Sequence, residues 1–132
     1  MAALDTNVLV RYLVRDDPRQ EQRARTLIGR CVAAGESLFV PITVALELEW
    51  VLRSRFGFQK GDIAATFSAL LSTSELQFES ETGLEIALAY FKDGTADFSD
   101  CMHIALAGMS GHGPFWTFDR AASRLDGAKL IG

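Results

Sequence analysis

A chain of 132 residues, 48% hydrophobic and carrying a formal charge of −4, can bury a core without disulfides or a structural metal, and reads as one domain over residues 1–132. The acidic balance excludes a protein that coats nucleic acid by bulk charge, so any phosphate chemistry must run through local basic residues or bound cations. Cys31 and Cys101 lack zinc-type spacing and read as buried free thiols, no apolar run is long enough to span a bilayer, and an acid at position 5 interrupts any leader; the expectation is a soluble cytoplasmic protein with no membrane partner.

In chain order, Ala2 to Asp5 is a short apolar run ending in a carboxylate, predicted as a first strand. Thr6 to Val14 carries Val8, Leu9, Tyr12 and Leu13 at helical spacing. Asp16, Asp17 and Pro18 form a helix start, and that helix runs to about Ala34, before Gly35. Leu38 to Val40 is a second strand, closed by Pro41. Thr43 is the predicted cap of a helix through Phe56, ended by Gly57. A helix over Lys60 to Leu71, a strand over Leu76 to Phe78 and a helix over Glu81 to Phe91 follow. Asp97 to Met109 is helical, Phe115 to Phe118 a strand, Arg120 to Arg124 a helical turn, and Ala128 to Ile131 a last strand. Strands alternating with helices give an α/β fold around a mostly parallel central sheet, with functional groups gathered beyond the carboxyl ends of the strands.

Asp5 and Asp119 fall at predicted strand ends, Asp100 in the first turn of a helix, and Glu47 early in the helix after the second strand. If the sheet is parallel, all four project over one edge. Carboxylates so crowded repel one another and are forced towards protonation. A divalent cation removes that cost, and oxygen-only ligation selects Mg2+ or Mn2+. Such an ion activates water and stabilises charge on a phosphodiester, so the reaction class is phosphodiester hydrolysis. Each position also has a plain reading. Asp5, Asp97 and Asp119 are good helix caps, Asp97 with Asp100 makes an imperfect capping box, and Glu47 is an ordinary solvated helix residue. Glu49 is an equal candidate by type, but about 200° from Glu47 around a helix.

Taken together the segments resemble the PIN domain, specifically the VapC-like toxins of bacterial toxin–antitoxin pairs. The resemblance rests on Leu4-Asp5-Thr6-Asn7-Val8-Leu9-Val10-Arg11-Tyr12-Leu13, on Phe39-Val40-Pro41 with Ala45-Leu46-Glu47-Leu48-Glu49-Trp50-Val51-Leu52, on Ala96-Asp97-Phe98-Ser99-Asp100 and on Trp116-Thr117-Phe118-Asp119-Arg120. It implies a three-layer α/β/α fold, a Mg2+- or Mn2+-dependent endoribonuclease acting on RNA, a homodimer, and inhibition by a cognate antitoxin protein. Asp5, Glu47, Asp100 and Asp119 become metal-site carboxylates. Asp97 becomes a neighbouring acid, and Thr6, Asn7 and Thr117 become groups that orient carboxylates or water. Family members often carry an apolar residue where Glu49 stands, which favours Glu47.

The remaining polar residues have plainer readings. His103 is expected to be partly buried and structural, and His112 a solvated loop residue. Arg11, Arg15, Arg19, Arg23 and Arg25 read first as a solvated face interleaved with Asp16, Asp17 and Glu21, and second as a phosphate-holding surface. Trp50, Phe56, Phe58 and Phe67 read as core or dimer packing. A haloacid-dehalogenase-type phosphotransferase needs a second aspartate where Asn7 stands. A receiver-like signalling domain needs an acidic pair after the first strand, where Asp5 is alone. A PIN-like fold kept only for binding is the other alternative, and four intact acids speak against it.

Overall fold

In the computed structural model, which describes residues 2–132, the first strand β1 is two residues long, Ala2–Ala3. It still defines the fold, because Leu4 N–H continues the ladder to Phe39 O at 2.9 Å. Helix α1 (Thr6–Val14) follows at once, and Arg15, in the left-handed region with φ 61°, turns the chain out of it. Asp17 caps α2 (Pro18–Ala33) by accepting from Gln20 N–H at 3.1 Å, with Pro18 in the first turn, as the sequence predicts.

Strand β2 (Leu38–Val40) lies between β1 and β3 (Leu76–Phe78), parallel to both, with Leu38 opposite Ala2 on one side and Leu76 on the other. Leu38 and Val40 are fully buried, as expected of a strand covered on both faces. Strands β4 (Phe115–Thr117) and β5 (Ala128–Leu130) pair parallel to each other. Among the described residues, the hydrogen-bonded strands thus form one three-stranded and one two-stranded ladder, every pairing parallel.

Helices α3 (Ile42–Phe56), α4 (Lys60–Leu71), α5 (Glu81–Asp93), α6 (Phe98–Met109) and α7 (Arg120–Ser123) complete the three-layer α/β/α arrangement. Helix α3 starts one residue before its predicted cap. Pro41, not Thr43, holds the cap position, and the N–H of Ile42 donates instead to Glu79 Oε1 at 3.0 Å. Proline fixes the extended entry, and a carboxylate distant in sequence takes the place of a local polar cap.

The N-terminus of α6 is anchored in the core. Phe98 is fully buried, with its ring 5.3 Å from that of Phe67 and 5.5 Å, edge-on, from that of Phe91. At the other end, α5 and α6 come close because Gly83 has no side chain. A β-carbon there would lie 2.6 Å from Ser80 Oγ and 3.0 Å from Leu106 Cδ2. Cys31 and Cys101 are buried free thiols, as expected. Burial and the neighbouring Asp100 charge push the Cys101 thiol up to about 11, which keeps it protonated and unreactive. No helix among the described residues is long and apolar enough to cross a membrane.

Candidate active site

The acids expected to act together fall into two neighbouring arrangements. The first sits where β1 runs into α1. Asp5 is the N-cap of α1, with Oδ1 accepting from Thr6 N–H at 2.7 Å. Thr6 is 3% exposed, and its hydroxyl donates to Glu47 Oε1 on α3. This bond fixes one oxygen of Glu47 although the residue is exposed. Because β1 and β2 run parallel, the segments that follow them, Asp5 and the start of α3, emerge at the same edge.

The second arrangement lies at the N-terminus of α6. Asp97 holds the N-cap position but makes no side-chain capping bond, so its carboxylate is not used in the helix. Asp100 stands in the first turn. Burial holds its carboxyl above the ordinary value, and the negative charges of Asp119 and then Asp97 add to the effect. Asp119 caps α7 through Oδ1, which accepts from Ala122 N–H at 2.8 Å. Its own N–H donates to Thr117 Oγ1 at 3.0 Å, so Thr117 fixes the turn that carries it.

Helix α3 connects the two arrangements. Glu49, left open by the sequence, is 4% exposed and bonded to Arg53 at 2.8 Å. Arg53 in turn feels the charge of Asp97. Glu49 is therefore committed to an ion pair on the side of α3 away from Thr6, which leaves Glu47 as the acid of that helix beside Asp5.

The chemistry of this donor set fits a hard divalent cation. It consists of carboxylate oxygens, and at Asp100 burial, then the charges of Asp119 and Asp97, raise the proton affinity, a cost that a dication would relieve. The side chains as they stand do not converge fully. Among the described residues, no three His, Cys, Asp or Glu side chains are close enough to share one ion. The structure thus couples Asp97, Asp100 and Asp119 by charge, and ties Glu47 to Thr6, without gathering all four expected ligands into one group. Asn7 is exposed and makes no side-chain hydrogen bond among the described residues.

His103 departs from expectation. It is exposed rather than partly buried, because its ring stacks on Phe115 of β4, 6.1 Å between centroids, at the surface. Its charge favours the ionised form of Asp100 one turn away. Phe67 is core as expected, whereas Trp50 is 55% exposed. The sequence reading also missed the exposed pair Trp116 and Phe118 beside Asp119. Strand alternation was the available signal: with Phe115 turned towards His103, residues 116 and 118 must face the other way.

This fold is that of the PIN-domain family, and the chain belongs to it: the family model matches residues 2–128. Within that family, the chain is similar to a VapC ribonuclease of Aquifex aeolicus (strain VF5). The two are 25% identical over 125 residues, covering 95% of this chain and 92% of that protein.

Proposed function

We propose that this chain is a metal-dependent endoribonuclease that acts as the toxin of a toxin–antitoxin pair. The observation that carries the reading is the half-buried Asp100 of α6, whose proton affinity is raised by burial and then by the charges of Asp119 and Asp97, within a chain of the PIN family. Stability alone gives no reason to raise the proton affinity of a partly buried carboxyl with two like charges; a cation site does.

Asp5, Glu47, Asp100 and Asp119 would hold Mg2+ or Mn2+, which when bound lowers the pKa of a water and stabilises charge on the phosphodiester. Thr6 holds Glu47 at a fixed orientation. Thr117 sets the turn that presents Asp119, and Asp97 adds charge without closing the helix. Asp5 and Asp119 each cap a helix through Oδ1 and have no hydrogen bond to Oδ2 among the described residues, so both are oriented before any ligand arrives. Asn7, exposed and directly after Thr6, would orient a phosphate or a water. The one-domain organisation over residues 1–132, a homodimer, a cognate antitoxin and a cytoplasmic location complete the reading, by likeness to VapC.

The test is cleavage of structured and unstructured RNA by the purified protein, with and without Mg2+ or Mn2+, beside Asp5→Asn. Cleavage that needs the metal and falls by about 10²-fold or more in the variant is expected. Equal cleavage by both proteins overturns the site. No cleavage at all, with RNA or protein partners still bound, favours a PIN fold used only for binding.

A further inference from the structure

The arginines of the first two helices do not form one interleaved surface. Arg11 is bonded to Asp16 at 2.7 Å, Arg25 to Glu21 at 3.0 Å, and Arg15 approaches the same glutamate at 3.4 Å. These three engage Asp16 and Glu21, and Asp17 caps α2. Arg19, Arg23 and Arg30 have no carboxylate partner among the described residues, and all three are exposed.

They lie on one face of α2, together with Gln22, Thr26 and Leu27, along a shallow groove of about 500 Å³. Their spacing of four and seven residues places them roughly 6 and 10.5 Å apart along the helix axis. The face carries no acid, in a protein whose overall charge is −4. Arg19 and Arg23, four residues apart, repel each other on the helix, a cost that an anion removes.

Arg23 and Leu27 also line a second groove of about 390 Å³, whose lining includes Asn7. Asn7 directly follows Thr6, the residue bonded to Glu47.

We infer that Arg19, Arg23 and Arg30 form a track for the phosphate backbone of the RNA on one side of the scissile bond, an inference that rests on the ribonuclease reading above. Guanidinium groups suit phosphate because they present forked donors to paired oxygens. An acidic peptide helix is the competing occupant, but it would need a row of apolar anchors. Among the residues lining the α2 groove, Leu27 is the only large apolar one. No aromatic side chain lines either groove, so contact is through the backbone and indifferent to sequence.

The test is a variant with Arg19→Gln, Arg23→Gln and Arg30→Gln, which keeps helix propensity. Binding of labelled single-stranded RNA is measured in EDTA over a range of salt. The variant should bind about tenfold or more weakly. The slope of log affinity against log salt should fall by about 2, from roughly 0.7 per lost phosphate contact. Cleavage with Mn2+ should show a raised KM for long RNA and unchanged kcat for an oligonucleotide too short to reach α2. An unchanged salt slope overturns the track. So does unchanged RNA binding with loss of binding to a polyglutamate peptide, which would make this a protein-docking face. If wild type binds with the expected slope yet cleaves nothing, the track stands and the nuclease reading falls.

Discussion

The two halves of the candidate site are built in opposite ways. Where β1 meets α1, polar groups satisfy one another: Asp5 caps its helix, and a buried threonine holds Glu47. At the start of α6, Asp97 and Asp100 make no hydrogen bonds through their side chains among the described residues, and Asp100 is crowded by like charge. The first half is settled by the protein alone; the second is left uncompensated. A site of this kind has one region that positions and one whose strain is relieved on binding, and only the second should register the cation strongly in stability.

The largest effect tests what supports the uncompensated half. Phe98 stacks between Phe67 and Phe91 directly under it. Phe98→Ala should cost about 3–5 kcal/mol in denaturant unfolding. A smaller loss would mean that repulsion among the acids, not the core, governs that end of α6.

Next is the acid itself. Asp100→Asn should lower RNA cleavage by about 10²–10³-fold. In the metal-free protein the same change should leave stability unchanged or raise it at neutral pH. The sign follows from the raised carboxyl. Stability from Asp100 is present below its unfolded titration point and is lost as pH rises through the folded one. Wild type minus variant, compared by thermal melting across acid to neutral pH, should therefore decline with rising pH and recover with Mn2+. A difference that grows with pH would refute the crowding.

The smallest effect sharpens the settled half. Thr6→Val keeps the shape but removes the donor to Glu47. Metal affinity, read by calorimetry, should fall about 10- to 100-fold, and stability by about 1 kcal/mol. Because Glu47 is exposed, water can replace the lost bond, so an effect on folding larger than the effect on metal binding would make Thr6 structural.

Much of this was legible in the amino-acid order. Caps such as Asp17 with Pro18 and stops such as Gly57 announce helix ends by local chemistry, and they fell where expected. The acids were legible as a set because strand ends and helix starts carry them. What stayed hidden depends on rotamers and on contacts distant in sequence. The pairing of Glu49 with Arg53 four residues on is a local helix signal, but nothing local tells that Glu47 meets a threonine 41 residues earlier. The sparing of Arg19, Arg23 and Arg30 was invisible for the same reason, since only geometry shows which arginines Glu21 and Asp16 claim.

The missing side chain at Gly83 reaches further than its position suggests. Helix α6 is a stiff rod, gripped by α5 at its far end and bearing Asp97 and Asp100 at its near end. A methyl at the grip would press on Ser80, Leu106 and Met109, so the bare backbone at Gly83 sets how closely α5 holds the helix that carries both aspartates.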